Sequence, residues 1–322
     1  MMSKAPYLSV VIPVYNEQEV LPALFTRLFP ALDALGKTYE VIFTNDGSKD
    51  QSIELLRKIH QERPDQVKVV NFNRNFGQHM AIMAGFEKVS GEVVVTMDAD
   101  LQNYPEDIQL LLEKIDQGHD VVGGYRIDRQ DKKWRIWLSR LHNSLRLKLT
   151  GIDMVDEGCM LRAYKREIID YMVNTGENST FLPALAHSFA GNPTDVGVRH
   201  AERKEGTSSY TFYKLIRYNF DFFANFSKAP LEFFTLSGLL VAILSIALFI
   251  YLGAKRLFFG PDADGVFTLF AIEYFLLGML LMGLGIVGEY IGRIYEEVRK
   301  RPRFIIKEYL DTQQKKDDKS CQ

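Results

Sequence analysis

Two aspartates, Asp98 and Asp100, directly follow an apolar run at residues 93–97. The run is rich in β-branched residues, which predicts a strand inside a sheet. Because side chains alternate along an extended chain, both carboxylates point to the same side. Two converging carboxylates repel each other unless a cation lies between them. We therefore predict a divalent-metal site; the alternative is a helix cap followed by a turn, since Pro105 is placed to begin a helix.

Two more polar clusters also follow apolar runs: Tyr-Asn-Glu at 15–17 and Asn-Asp-Gly-Ser at 45–48. Strands that alternate with helices predict an α/β fold with a parallel sheet covered on both faces. In such sheets ligands bind beyond the carboxyl ends of the strands, so all three clusters should gather along one edge. The predicted strands are 7–14, 39–44, 67–72, 92–97 and 120–124, and the predicted helices are 21–35, 52–62, 78–89 and 105–115.

Composition narrows the class of protein. The chain has 322 residues, 25% of them charged, with a formal net charge of -2, which argues against a basic nucleic-acid binder. Its cysteines, Cys159 and Cys321, lie far apart, so we expect neither a disulfide framework nor a cysteine metal site, and we expect a reducing compartment. The N-terminus lacks the layout of a signal peptide, so the first domain should fold in the cytosol.

The last third is suited to a lipid environment. Residues 233–253 carry no charge and residues 266–288 carry only Glu273, and either segment can cross a hydrocarbon core of about 30 Å. A short link joins them, which predicts a hairpin with both flanks on one side; two buried core helices are the alternative. Positive flanking residues predict a cytoplasmic location for those flanks; they are Arg293, Arg299, Lys300, Arg301 and Arg303.

The segment 208–232 mixes aromatic side chains with Lys214, Arg217 and Lys228. This mixture suits helices that lie in the headgroup layer of a lipid bilayer; nucleic acid is the weaker alternative. We thus predict four parts: a domain at 1–207, interfacial helices at 208–232, two membrane spans at 233–290 and a cytoplasmic tail at 291–322. The polar end of that tail, 311–322, is expected to be disordered.

Four stretches together resemble the family 2 glycosyltransferases that load sugars onto polyprenyl phosphates: VVIPVYNE, NDGS, DADLQNYPE and GEYIGRIYEEVRKRP. The resemblance runs over nearly the whole chain, to about Pro302. It implies a Rossmann-like GT-A nucleotide-sugar domain, a UDP-sugar donor, undecaprenyl phosphate as acceptor, inversion at the anomeric carbon and a place in the bacterial inner membrane. It leaves open whether the chain forms a homo-oligomer.

Three further stretches look most like family members that transfer 4-deoxy-4-formamido-L-arabinose for lipid A modification: NRNFGQHMAIMAGF, EGCMLRAYKRE and HAERKEGTSSYTF. Transfer of glucose, mannose or N-acetylglucosamine is the alternative within the family. A membrane-anchored nucleotide-binding scaffold is the alternative from another class, and the intact pair of aspartates argues against it.

The resemblance also implies roles for single residues on the donor side. Asp98 and Asp100 match the pair that binds Mg²⁺ or Mn²⁺, which would bridge the donor diphosphate. Uridine contacts are implied for Pro13, Tyr15 and Glu17, and Asp46 falls in the matching uracil or ribose pocket. Asn45 departs from the pattern, because relatives usually have aspartate there; an asparagine can still donate and accept hydrogen bonds.

Phosphate contacts are implied for Gln102 and for a basic segment that includes Arg126 and Arg129. Arg135 and Ser139, four residues apart and so on one helical face, match a pair that holds the acceptor phosphate, and Arg203 resembles another phosphate contact.

Asp156 matches an acidic position near the reacting centre. A phosphomonoester with a second pKa of about 6 is already ionised at neutral pH, so we predict that Asp156 orients the donor sugar or a phosphate-binding arginine. Removing a proton is at most its secondary role.

Gln78 and His79 are weaker candidates for sugar or pyrophosphate contacts. His187 and His200 match no pattern, and Cys159 is expected to be a buried filler.

Overall fold

The computed structural model describes residues 5–127, 154–156, 158–175, 181–201, 229–259, 266–299 and 301–312. Several predicted features lie outside these residues: the phosphate contacts Arg129, Arg135, Ser139 and Arg203, most of the aromatic segment 208–232, and the polar end of the chain from 313 onward. The chain divides into two compact units. The first comprises 1–147, 151–208 and 302–322, and the second comprises 148–150 and 209–301.

Strands and helices alternate through the first unit as predicted. The strands are β1 Leu8–Val14, β2 Tyr39–Asn45, β3 Val67–Phe72, β4 Val93–Thr96, β5 Val121–Arg126, β6 Arg162–Lys165, β7 Pro193–Val198 and β8 Ile306–Leu310. The helices are α1 Leu21–Ala34, α2 Ser52–Glu62, α3 Gln78–Phe86, α4 Ile108–Asp116, α5 Arg166–Asn174, α6 Leu182–Phe189, α7 Ala229–Phe259 and α8 Val266–Val298. A short 3₁₀ helix, Pro105–Asp107, leads into α4. The five strands and four helices predicted in the first 125 residues are confirmed.

The eight strands form one sheet in the order β7-β5-β6-β4-β1-β2-β3-β8. Neighbours from β4 through β1 and β2 to β3 are parallel, because each is connected by a crossover helix. The five predicted strands run in one direction, as predicted, but the complete sheet is mixed: two strands that were not predicted run the other way, β6 antiparallel to β4 and β5, and β8 antiparallel to β3. Neither strand belongs to a simple strand-helix-strand repeat, so no crossover sets its direction.

Both faces of the sheet are covered, which accounts for the unbroken apolar strands. Side chains of one strand alternate between two cores; Val10 belongs to one and Val11 to the other. Helices α1, α2 and α4 cover the first face, and α3, α5 and α6 cover the second. Each fully buried Val, Leu, Ile or Phe side chain contributes about 1.5–3 kcal/mol, so these layers hold the strand ends and their loops in place.

Strand β8 was not predicted. After leaving the first unit near residue 208, the chain returns at 302 and adds β8 to the exposed edge of β3. Phe304, just before the strand, stacks on Phe72 with ring centroids 5.1 Å apart. The Thr312 hydroxyl donates to the Pro64 carbonyl at 2.8 Å. The N-terminal sheet is therefore completed by the last part of the chain.

The second unit contains the two longest helices, α7 of 31 residues and α8 of 33 residues. Among the described residues, Ile272–Gly292 within α8 is long and apolar enough to cross a membrane. Large apolar side chains on this stretch are exposed, for example Leu281 at 61% and Leu284 at 68%. The two helices meet where the Phe234 ring lies against Gly283, leaving no room for a Cβ atom at that glycine.

Candidate active site

The loops that follow β1, β2 and β4 lie at the carboxyl ends of neighbouring parallel strands. Two non-glycine residues in them, Asn16 (φ 55°) and Leu101 (φ 59°), have left-handed backbone conformations. Such conformations cost free energy and persist where the surroundings impose them, often at functional sites. The predicted gathering of three polar clusters along one edge is thus present in the fold.

The loop after β1 is tied to the loop after β2 by short hydrogen bonds. The Asn16 N–H donates to Ser48 Oγ at 2.9 Å, and the Lys49 N–H donates to Asn16 Oδ1 at 2.9 Å. The Glu17 N–H donates to Ser52 Oγ at 3.0 Å. Pro13 and Glu17 are half-buried, whereas Tyr15 is 42% exposed. The two loops form one preformed platform with the Tyr15 ring facing solvent; the uridine contacts assigned to these residues stay predictions.

Asp46 anchors a third loop, at residues 73–77. Its carboxylate oxygens accept hydrogen bonds from the backbone N–H groups of Phe76, at 2.7 Å, and Gly77, at 2.9 Å. Burial raises the pKa of Asp46, and these two bonds partly offset that rise. Gly47 has φ +65°, and a Cβ atom there would clash with the backbone of Arg74. Asp46 is 3% exposed, so its geometry favours a structural role, and its assignment to the uracil or ribose pocket stays a prediction.

Asn45 faces the neighbouring strand. Its Nδ2 donates to Asn71 Oδ1 at 2.8 Å, and its Oδ1 accepts from the Ser48 hydroxyl at 2.5 Å. Both polar atoms of the amide are therefore engaged within the protein, and the side chain is 1% exposed. Asn45 therefore ties the loop after β2, at Ser48, to the neighbouring strand β3, at Asn71.

Asp98 and Asp100 occupy the turn after β4. Gln78 Nε2 donates to Asp98 Oδ1 at 2.6 Å, and the Gln102 N–H donates to Asp100 Oδ1 at 3.0 Å. Loss of hydration, and then the charge of Asp100, raise the pKa of Asp98 to about 7, although hydrogen bonds from Asn103 and Gln78 lower it. The two carboxylates therefore repel each other, and a divalent cation bound by both would relieve that repulsion. Gln102 contributes its backbone to this turn, and its assigned contact with phosphate stays a prediction.

The donor set at this turn fits a hard divalent cation. Among the residues that the structure describes, no three His, Cys, Asp or Glu side chains are grouped closely enough to hold a metal alone. Mg²⁺ is commonly held by one or two carboxylates together with substrate phosphates, so the aspartate pair is sufficient on the protein side. The buried Asn103 Oδ1 has no hydrogen-bond partner in the described part of the chain and is a further oxygen of the kind such cations prefer.

Asp156 forms a two-pronged ion pair with Arg126 at the end of β5. Arg126 Nε and Nη2 donate to the two Asp156 carboxylate oxygens at 2.6 and 2.9 Å. Burial raises the pKa of Asp156, but the hydrogen bonds and charge of Arg126 outweigh it and hold that pKa below its usual range. Beneath the pair, the buried Arg162 donates to the Asp156 carbonyl at 2.6 Å. A carboxylate with a lowered pKa is a weak base, so the geometry favours the orienting role over proton removal.

His200, which matched no sequence pattern, lies beside the aspartate turn. An isolated β-bridge pairs it with Asn103 beside the aspartate turn. Burial and the charge of Arg126 lower the pKa of His200, while Asp100 and Asp156 act in the opposite direction. Because His200 lies far along the chain from both groups, local spacing could not have revealed it.

Comparisons with known proteins identify the family of this chain. The family model described as glycosyl transferase family 2 matches residues 9–172. The undecaprenyl-phosphate 4-deoxy-4-formamido-L-arabinose transferase of Edwardsiella ictaluri (strain 93-146) is 47% identical over 96% of this chain and 95% of its own length. The enzyme of the same name from Klebsiella pneumoniae (strain 342) is 46% identical over 97% of each chain.

One similar solved structure is glucosyl-3-phosphoglycerate synthase from Mycobacterium tuberculosis in complex with Mn²⁺, uridine diphosphate and phosphoglyceric acid. It is 20% identical, covers 62% of this chain and 72% of that chain, and has a TM-score of 0.44. The family match over half of the chain and the full-length relatives lead to one conclusion. This chain belongs to glycosyl transferase family 2.

Proposed function

We propose that this protein transfers 4-deoxy-4-formamido-L-arabinose from a UDP-sugar to undecaprenyl phosphate at the cytoplasmic face of a bacterial inner membrane, for lipid A modification. The observation that carries the proposal is the 47% identity, over 96% of the chain, to a relative named for this transfer. A site with paired carboxylates, a braced arginine and a preformed loop platform agrees with it.

On the donor side, the platform of the β1 and β2 loops receives the uridine. Tyr15 offers an exposed ring for stacking, and Pro13 and Glu17 flank it. Asn45 and Asp46 act from below, since their polar atoms brace the two loops and the 73–77 segment. The loops need little rearrangement on binding, which lowers the entropy cost of holding the nucleotide.

Asp98 and Asp100 are the residues that would hold Mg²⁺ or Mn²⁺. When bound there, such a cation would neutralise negative charge on the departing UDP. Gln78 restrains Asp98 and the Gln102 backbone restrains Asp100, so both carboxylates keep their orientation.

The transfer is a single displacement. An oxygen of the acceptor phosphate forms a bond to the anomeric carbon, the bond from that carbon to the donor diphosphate breaks, and UDP leaves with the electron pair, which inverts the anomeric centre. The attacking oxygen is mostly ionised at neutral pH, so the protein has to position it in line and stabilise the leaving group. Arg126, oriented by Asp156, supplies positive charge for a phosphate. Arg129, Arg135, Ser139 and Arg203 remain proposed phosphate contacts.

Chain connectivity supports a hairpin of two spans. Residues 209–301 leave the first unit and return to it, because β8 belongs to its sheet. A chain that begins and ends on the same side of a membrane crosses it an even number of times. If Ile272–Gly292 crosses once, α7 is the natural second span, since 31 helical residues extend about 46 Å, more than the hydrocarbon thickness. The preceding aromatic segment 208–232 would then lie at the headgroup layer.

The decisive experiment is product identification. Purified full-length protein is incubated with undecaprenyl phosphate and each of several nucleotide sugars, and the mass of the lipid product is determined by mass spectrometry. We expect transfer of the formamido-pentose and release of UDP, with Asp100→Asn as the inactive control. Transfer of a hexose alone would replace the sugar assignment, and no transfer from any donor would overturn the enzymatic proposal.

A further inference from the structure

Three polar side chains form a row across the sheet: Asn45 on β2, Asn71 on β3 and Glu308 on β8. Asn45 and Asn71 are register partners, and so are Asn71 and Glu308. Side chains at paired positions lie on the same face of a sheet, within reach of each other. Asn45 Nδ2 donates to Asn71 Oδ1 at 2.8 Å, and Asn71 Nδ2 donates to Glu308 Oε2 at 3.4 Å. We call this row the amide ladder.

The charge at one end determines the direction of every hydrogen bond in the amide ladder. Arg57 on α2 donates two hydrogen bonds to the Glu308 carboxylate, from Nη2 to Oε2 at 2.7 Å and from Nε to Oε1 at 3.3 Å. Hydrogen bonds from Arg57 lower the pKa of Glu308, so at neutral pH this carboxylate only accepts hydrogen bonds. Asn71 must therefore turn its Nδ2 toward Glu308. Its Oδ1 then faces Asn45, which has to donate.

The same direction continues into the platform. Asn45 turns its Oδ1 to the Ser48 hydroxyl, which donates to it at 2.5 Å. The Ser48 oxygen is then free to accept the Asn16 N–H at 2.9 Å. An aspartate at position 45 would have no proton for Asn71 Oδ1. The ladder thus gives a physical reason for the asparagine at position 45.

We propose that Glu308 is a positioning residue for the nucleotide, because it orients the amide ladder that holds the β1 and β2 loops together. The proposal rests on the proposed function, in which those loops receive the uridine. It also gives β8, which follows the long apolar helix in the chain, a role at the donor site that is separate from closing the sheet edge.

The test is a double-mutant cycle in the full-length protein, purified in detergent, with UDP affinity measured by calorimetry and folding by thermal denaturation. Asn45→Asp should weaken UDP binding about tenfold, equivalent to about 1.4 kcal/mol. Glu308→Gln alone should weaken it about two- to threefold, because glutamine still accepts from Asn71 but loses the charge facing Arg57. Combining the two should cost less than the sum of the two single losses, with partial recovery, because the NH₂ group that donates to Asn71 replaces the Oε2 atom that accepts from Arg57 Nη2. The new glutamine can donate to Asn71 Oδ1, which lets Asn71 turn its Nδ2 to the new aspartate on β2.

Glu54→Gln is the matched control. Glu54 is exposed and lies 3.8 Å from the same arginine, so its removal deletes one negative charge beside Arg57 without touching the ladder. It should not rescue Asn45→Asp. Equal rescue by Glu54→Gln, or additive effects of Asn45→Asp and Glu308→Gln, would overturn the ladder proposal. If Asn45→Asp fails to fold, Glu308→Gln should restore folding, and its failure to do so would also overturn it. A folded wild type that binds no UDP would overturn the proposed function instead. The same double-mutant cycle, measured by thermal denaturation, would still test the amide ladder.

Discussion

Replacing Asp156 by asparagine separates its two candidate roles, as a base and as a brace for Arg126. The carboxylate is 6% exposed and accepts from Arg126 Nε and Nη2 and from the Gly158 N–H at 3.0 Å. An asparagine keeps one acceptor but turns an NH₂ group toward the guanidinium. Breaking a buried pair from one side costs about 3–5 kcal/mol; because a quarter of the Arg126 side chain is open to solvent, we expect about 2–3 kcal/mol after screening.

If correct placement of Arg126 is needed in the transition state, this loss lowers kcat/KM by about 30- to 150-fold. The assay follows UDP release with undecaprenyl phosphate as acceptor between about pH 5.5 and pH 8.5. Both proteins should follow ionisation of the acceptor phosphate, whose second pKa is about 6. Arg126→Gln should be similarly impaired, and the double variant should be no worse than either single variant, since both remove one unit. If the wild-type pH–rate profile shows a limb due to ionisation of an enzyme carboxylate, and the profile of Asp156→Asn lacks that limb, Asp156 is a base and the reasoning is refuted.

The same pair makes a signed prediction for stability. Arg126 holds the pKa of Asp156 below its ordinary value of 3.8, so the folded state binds this proton less tightly than the unfolded state. The pair therefore stabilises the fold above the unfolded pKa, and that contribution is lost as the pH falls through the folded pKa. Asp156→Asn should remove this acid-dependent component, as measured by urea unfolding between about pH 2 and pH 6.

Chelation with EDTA should abolish transfer and Mg²⁺ or Mn²⁺ should restore it, while folded Asp100→Asn stays inactive; full turnover in metal-free chelator would contradict the metal site. Gly47→Ala should destabilise the fold by more than about 2 kcal/mol, because φ is positive and a Cβ atom would clash with the backbone of Arg74. Gly36→Ala, where φ is +62° and no atom lies within 4 Å of the added Cβ, should destabilise it by only about 1–2 kcal/mol. Equal urea midpoints for the two variants would refute this. Truncation at residue 228 removes β8 and should give a lower thermal midpoint than a form in which a flexible linker replaces 209–301 and keeps β8; identical midpoints would show that β8 is dispensable.

Much of this protein could be predicted from local sequence because the relevant patterns have short periods. Apolar runs broken by turn residues identified β1 to β5 and the helices between them. Strand-helix repeats were enough to bring the loop of Asp98 and Asp100 to the same edge as residues 15–17 and 45–48. Alternation along a strand predicted that both carboxylates point to one side; β4 ends at Thr96, so both lie in the turn and this orientation stays a prediction. Each inference depends on neighbours within about ten residues, where backbone geometry alone decides which way a side chain points.

Partner choice between distant segments was decided only by the tertiary structure. Strand β8 could not be told from the start of a polar tail, because a short edge strand has a weak sequence pattern of its own. It forms because the edge of β3 offers unpaired backbone groups for hydrogen bonding. The contact between Asn71 and Glu308 spans 237 residues, and that between Arg126 and Asp156 spans 30. Neither pairing has a local period. Packing of the two cores fixes which backbones come within hydrogen-bond distance, and only then do buried polar groups find the partners that compensate for their lost hydration.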